Sequence, residues 1–341
     1  MLTRNTRATR TRYPLELKHI LKIEAAQESR RWLSHWRLLH PNATPLRTMP
    51  GTAAQLKLAH LSIKDESVRS ELGSFKALGA PIALVRFMLR QWPERGIEAG
   101  TLLNGAYRDL LATVTVISAT DGNHGRALAA AAQSVGCHCV IVLHANVSME
   151  REQAIAAYGA QIVRIPGNYD AAVEEAARLA AANRWQVVSD TSYAGYEDIP
   201  RDVMQGYATI AAEIIEQTGS YPDQPAYTHV FLQGGVGGLA AGIASYLCEF
   251  HGHQRPRFIV VEPHQADCLF QSALTGAPGI GHWRSTASIN HPAPNEGKVK
   301  RRYRRERRGH RRECRRGCWG EGWQARWKLD LCRCRCLGRC C

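Results

Sequence analysis

From residue 113 to residue 262 short apolar runs alternate with segments of helical length, and this alternation constrains the fold more than any other feature of the chain. The runs TVTVISA (113–119), CVIVL (139–143), QIVRI (161–165), QVVSD (186–190), THVFLQ (228–233) and RFIVVE (257–262) are rich in β-branched residues. They read as strands buried on both faces. Between them lie helical stretches at 125–136, 148–158, 169–184, 201–217 and 238–250. A helix between successive strands is the crossover that parallel pairing requires, so the pattern predicts βαβ units and an α/β, doubly wound open sheet. Ligands of such sheets sit beyond the carboxyl ends of the strands, which directs attention to the residues that follow each run.

With 341 residues the chain is long enough for about two domains. Hydrophobic residues at 45% and charged residues at 22% give the balance of a globular protein and exclude a fibrous or wholly disordered one. No apolar run reaches the ~18 residues of a membrane helix, so no membrane partner is expected and a cytoplasmic location is. The net charge of +14 suggests nucleic acid until it is located. Residues 279–341 hold 18 Lys and Arg against 5 Asp and Glu, whereas residues 1–278 hold 26 against 25. Cysteine divides the same way, with Cys137, Cys139, Cys248 and Cys268 in the near-neutral body and seven in the tail. The first 22 residues are Arg-rich with one acid, Glu16, and lack the apolar stretch of a secretory signal. They read either as a transit peptide or as a frayed basic start before a helix over 23–38, the second being favoured. A Pro-punctuated stretch and a strand at 60–64 follow.

Three strand ends and one lysine carry chemistry. Ser118 to Gly125 (SATDGNHG) puts small and amide residues at a strand-to-helix turn, where free N–H groups suit either an anion or a plain N-cap. Gln233 to Gly238 (QGGVGG) places four glycines in five residues after a strand, a backbone nest suited to a phosphate. It has neither the Lys-Ser/Thr of a P-loop nor the spacing of a dinucleotide fingerprint, so a monophosphate is expected rather than ATP or NAD. Asp190 emerges from an apolar strand, either as a turn acid or as a group of the site. Lys76, in GSFKALGA (73–80), opens an apolar helix. Burial there would lower its pKa and make the amine a nucleophile toward carbonyls, whereas a surface lysine would merely snorkel. His124 reads as a loop former, Cys137-His138-Cys139 as core at a strand start, and no histidine pair has metal spacing, so no metal is expected.

A phosphate nest, a buried amine, an amide loop and acids at strand ends are together the parts of a pyridoxal-phosphate site. Ser74-Phe75-Lys76, Gly122-Asn123-His124 and the Gly234–Gly238 turn resemble the fold-type II pyridoxal-phosphate enzymes. Within them the chain is most similar to the diaminopropionate ammonia-lyases. The motifs are Lys64-Asp65-Glu66-Ser67, Thr120-Asp121-Gly122-Asn123-His124-Gly125, Asp190-Thr191, Gly195-Tyr196-Glu197-Asp198-Ile199-Pro200 and Met204-Gln205-Gly206-Tyr207. Dehydratases and racemases of this fold usually carry Ser where this chain has Asp121. The resemblance implies two doubly wound domains, a large one from residues 1–80 and 195–278 and a small one from 81–194. It implies that Lys76 bonds the cofactor aldehyde, Asn123 partners its 3-hydroxyl, and Gly234, Gly235, Val236, Gly237 and Gly238 hold its phosphate. It also implies α,β-elimination of 2,3-diaminopropionate to pyruvate and ammonia. Lys76 would then shuttle protons, and Asp121 and Asp190 would act as acid/base groups on opposite stereoisomers. An amino-acid substrate and a homodimer follow from the same resemblance, and Asp65 and Glu66 read as supporting acids.

The resemblance runs from about residue 40 to about residue 278. Beyond it the chain is Arg-, Cys-, Trp- and Gly-rich, as GC-rich DNA reads out of frame, so residues 279–341 are expected to be a disordered frameshift product replacing the family's C-terminal part. That part supplies further strands and the partner of the pyridine nitrogen. The crowded cysteines fit no zinc spacing, and nucleic acid is expected only as a non-specific partner of the basic tail. The competing readings are a serine or threonine dehydratase, which Asp121 and Asp190 oppose, and a non-catalytic remnant whose tail binds anionic surfaces.

Overall fold

The computed structural model describes residues 2–5, 8–120, 122–193, 195–264 and 266–276, together with the backbone of one strand at 326–329. Strands β1 (Leu46–Thr48) and β2 (Ser62–Lys64) form an antiparallel hairpin, with Thr48 opposite Ser62. This pairing was not legible in the sequence, because β1 lies within the proline-punctuated stretch.

Next comes a four-stranded, all-parallel sheet built from β3 (Thr115–Ala119), β4 (His138–His144), β5 (Gln161–Ile165) and β6 (Gln186–Val187), in the order β5-β4-β3-β6. Helix α1 (Ile23–Leu33) precedes this sheet, as does α2 (Ala80–Gln91), while α3 (Asn123–Val135), α4 (Met149–Ala156) and α5 (Tyr169–Asn183) connect its strands. Alternation along the strands sorts the core. Val116, Cys139, Ile141 and Leu143 join α3 on one face, while Ile117, Ala119, Val140 and Val142 pack on Ala172, Ala176 and Ala180 of α5 on the other. Helix α3 is buried almost all round, which explains its run of alanines: it lies between the sheet and α2.

The second unit contains β7 (His229–Gln233) and β8 (Arg257–Val261), paired in parallel, with α6 (Asp198–Tyr207), α7 (Thr209–Thr218), α8 (Gly238–His251) and α9 (Cys268–Thr275). Two short strands extend its sheet, Arg326–Leu329 antiparallel to β8 and Leu2–Arg4 beyond it. Apart from that four-residue strand, the tail expected to be disordered lies outside the described residues.

Three expectations need correction. The helix expected over 201–217 is two helices meeting at Ala208. The strand expected over 186–190 stays in the ladder for two residues, because Ser189 N turns to the Tyr196 hydroxyl (2.8 Å) instead of to a neighbouring strand. The N-terminus is docked, not frayed, from Ala8 onward. The buried Arg255 guanidinium donates to Thr11 O (2.8 Å), Gly252 O (2.7 Å) and Thr9 O, and Glu249 accepts from Ile23 N (2.7 Å) and pairs with Lys18.

Candidate active site

Lys76 lies in a 3-10 turn, Phe75–Leu78, that runs into α2. Ser74 caps the turn by accepting from Lys76 N (3.3 Å). Helix α6 presses against it so closely that a Cβ on Gly206 would run into Leu78 O, which requires glycine there. The Lys76 ammonium then lies over two rings, 5.4 Å from the Phe75 centroid and 5.7 Å from that of Tyr207, and these rings meet edge to face with centroids 5.1 Å apart. Its Nζ forms an ion pair with Asp190 Oδ2.

That pair reverses the expected titration of the lysine. Burial works to lower the Lys76 pKa, but the Asp190 carboxylate and the Tyr207 oxygen outweigh it, and the net shift is upward. Burial likewise works to raise Asp190, and the Lys76 ammonium outweighs it and holds the carboxyl well below the usual carboxylate range. Burial pushes the Tyr207 phenol up. The free amine is therefore held protonated, and its nucleophilicity depends on passing the proton on.

Asp190 reaches this position because Tyr196 stands in for the sheet. Its hydroxyl accepts from Ser189 N and donates to Val187 O (3.0 Å), and its ring stacks on Tyr193 at 4.8 Å. Beside this clamp opens a cleft of about 490 Å³ lined by Arg90, Gln186, Tyr196 and Arg201, and none of the sequence-predicted site residues lines it.

At the neighbouring strand end, Thr120 Oγ1 accepts from Gly122 N (3.2 Å) and Gly125 N (3.3 Å) and starts α3. Asn123 is the first residue of that helix and half-buried. Asp121 lies outside the described residues. His124, expected to be a mere loop former, is 4% exposed and faces the site: Nε2 lies 2.9 Å from Val188 O and Nδ1 3.9 Å from Asp190 Oδ2.

The glycine turn follows β7, with Gly234 N donating to Val261 O (2.8 Å). Gly237, at φ +89°, adopts a left-handed conformation that only glycine takes without strain, and it caps the 14-residue α8. Gly235 and Val236 are exposed. A Cβ on Gly238 would sit 3.7 Å from Tyr207 Cε2. Tyr207 is thus the floor shared by the lysine and the glycine turn, and of the quoted Met204-Gln205-Gly206-Tyr207 motif it is the residue whose role the sequence did not disclose. Cys137 and Cys139 flank the start of β4, with burial pushing the Cys137 thiol up to about 12, as suits core residues.

The model of the family described as pyridoxal-phosphate dependent enzyme matches residues 38–308. The chain belongs to this family. The match begins near where the resemblance in sequence begins and continues past residue 278, where it was expected to stop. The diaminopropionate ammonia-lyase of Salmonella typhimurium is 37% identical over 242 residues, covering 70% of this chain and 60% of the relative. That of Escherichia coli K12 is 35% identical over 243 residues, covering 71% and 60%. The chain thus spans about 60% of the length of these curated relatives. The crystal structure of holo diaminopropionate ammonia lyase from Escherichia coli superposes with a TM-score of 0.70 and 32% identity, covering 80% of this chain and 67% of that one. Its complex with an aminoacrylate-PLP azomethine reaction intermediate gives the same values.

The residues present fit such a cofactor. A lysine held against two aromatic rings faces, across Tyr207, a glycine turn at a helix start, which is the separation of functions that an aldehyde and a phosphate on one ring demand. Three buried polar atoms at this place, His124 Nδ1, Thr191 Oγ1 and the Tyr207 hydroxyl, have no hydrogen-bond partner among the described residues. Such orphans are costly in a finished core and ordinary in a binding site.

Proposed function

We propose that the chain is a pyridoxal-phosphate-dependent ammonia-lyase that eliminates ammonia from 2,3-diaminopropionate, giving pyruvate and a second ammonia. The observation that carries this reading is the Lys76–Asp190 pair set against Tyr207 and the glycine turn. The similarity to two diaminopropionate ammonia-lyases at 35–37% identity supports this choice of substrate. In this reading Lys76 holds the cofactor aldehyde, Asn123 its 3-hydroxyl, and Gly234 to Gly238 its phosphate. The bound ring supplies an electron sink for the pair left at the substrate Cα.

The chain's own residues handle the protons. Asp190 Oδ2 takes the Cα proton of one stereoisomer, and Asp121 that of the other. Lys76 Nζ carries a proton to the departing amine, which leaves well only when protonated. Phe75 and Tyr207 exclude water around that amine. A homodimer in the cytoplasm is the assembly and location that accompany this reading.

The test is the visible absorption of the purified chain with pyridoxal phosphate, before and after 2,3-diaminopropionate. A band that depends on Lys76, absent in Lys76→Ala, with pyruvate released on adding substrate, is the expected result. Turnover of D-serine but not of diaminopropionate would move the chain to the dehydratases, a probable D-serine dehydratase being 30% identical over 230 residues. No band at all would leave the remnant reading.

A further inference from the structure

His124 is tied down at one nitrogen and free at the other. A carbonyl oxygen only accepts, so the 2.9 Å contact with Val188 O puts a ring proton on Nε2. Nδ1 then faces Asp190 Oδ2 at 3.9 Å, fully buried and without a hydrogen bond. A bare lone pair facing a buried carboxylate is repulsive, whereas a proton between the two is attractive. The Lys76 ammonium takes the same Oδ2, so the carboxylate is satisfied from the other side. Among the described residues, the other titratable groups that the Asp190 charge acts on are two phenols, Tyr207 from α6 and Tyr196 from the segment after β6, both shifted upward and so neutral. Lys76 is also the group that has to leave, since an amine that bonds a carbonyl or carries a proton to a substrate cannot stay paired with Asp190.

We propose that His124 is the positioning residue for Asp190, taking over that carboxylate through a proton shared between Nδ1 and Oδ2 whenever Lys76 is drawn away. The proton comes from solvent or from Lys76 itself, no bond other than N–H and O–H changes, and Val188 O keeps the ring from rotating. The kinetic part of this inference rests on the role of Asp190 proposed above, and the spectroscopic part does not.

The spectroscopic experiment uses the full chain without cofactor, labelled with 15N in its histidine rings. The His124 signal is the one lost in His124→Gln or, should that chain not fold, the one moved by Asp190→Asn. In Lys76→Ala the Nδ1 resonance is expected to shift from a bare toward a proton-bearing nitrogen while Nε2 keeps its proton, and the shift is expected to vanish in Lys76→Ala/Asp190→Asn. An Nδ1 that stays bare in Lys76→Ala overturns the proposal whatever the enzyme's substrate proves to be. The kinetic experiment compares the D and L isomers of diaminopropionate, with Asp190→Asn showing which of them depends on Asp190. His124→Gln is expected to lower kcat for that isomer by ~10-fold or more, with little change in KM and little effect on the other isomer. An equal loss on both isomers would mean a purely structural His124 and would also overturn it.

Discussion

Two clusters of buried charge lie within a dozen residues of each other in sequence and are finished to different degrees. In the first, Lys64 donates to Thr44 O (2.6 Å) and Gln217 Oε1 (2.9 Å) and pairs with Glu213 (2.6 Å), so each of its three protons has an acceptor. Arg69 forks onto Glu66 and Glu213, with four contacts of 2.6–2.8 Å. In the second, Lys76 has one acidic partner and two aromatic faces, Asp190 is shared with an imidazole 3.9 Å away, and three polar atoms are orphaned. The first cluster binds the β1–β2 hairpin and the segment before the lysine turn to α7. The second leaves hydrogen-bonding capacity unspent where a ligand has to be recognised. Saturation therefore separates a charge cluster that holds the fold from one that does chemistry, although both are buried and both contain lysine and acid.

The largest expected effect follows from breaking the saturated cluster. Burial works to raise Glu213, and Arg69 and Lys64 hold it low instead. Glu213→Ala would leave two buried cations facing each other, and a stability loss of about 3–5 kcal/mol in urea unfolding is expected. Glu66→Gln, more exposed and still able to accept from Arg69, should cost less than half of that.

Breaking the unsaturated cluster should cost less stability and all of the activity. Lys76→Ala removes the ammonium from Asp190 but leaves His124 opposite it, so a loss of about 1–3 kcal/mol is expected, together with loss of the cofactor band. Lys76→Ala/Asp190→Asn should recover part of that loss in the same unfolding measurement, because the unpaired charge is gone. Equal losses for Glu213→Ala and Lys76→Ala would remove the distinction drawn between the clusters.

The same distinction explains what the sequence disclosed. Strand and helix periodicity is a local signal, and β3, β4, β5, α3 and α5 stand within a few residues of where the apolar pattern puts them. Lys76 and the glycine turn were legible because their residue types are unusual at strand and helix starts. The partners of these residues were not. Nothing local in GYEDIP says that the Tyr196 hydroxyl replaces a strand at Ser189 N, nor does TDGNHG say that His124 turns inward to face Asp190. The upward shift of Lys76 depends on a residue 114 positions away. Long-range pairing decides charge state, and a single sequence carries no record of it. Lys64 and Glu66, quoted as a motif, likewise acquire a role only through Glu213.

Tyr196 offers a sharper cut, because the hydrogen bonds by which it holds the second cluster are to backbone. Tyr196→Phe deletes an acceptor for Ser189 N and a donor to Val187 O while leaving the stack on Tyr193. A stability loss of about 1–2 kcal/mol is expected, with reduced turnover on the Asp190-dependent isomer and an unchanged cofactor band. A lost band would mean that the clamp also shapes the lysine turn.

The smallest effect comes from a third buried acid that is saturated but has no cation. Glu262, 3% exposed at the end of β8, accepts from Leu269 N and Phe270 N at 2.9 Å each and so caps α9 beside the glycine turn. Burial raises its pKa to about 7, the two backbone donors pulling only partly against it. A carboxyl raised on folding binds more protons folded than unfolded between its ordinary range and that value. Stability from this group is therefore fullest below about pH 4.3 and declines as pH rises toward 7, the reverse of Asp190, whose contribution is lost only on acidification. The slope from this group is bounded by ~1.4 kcal/mol per pH unit. Unfolding measured between pH 5 and 7 should show the slope in the wild-type chain and a shallower one in Glu262→Gln, the remainder coming from Asp202, which burial raises to about 6. If Glu262→Gln leaves the slope undiminished, saturation by backbone N–H groups alone suffices to keep the Glu262 carboxylate charged.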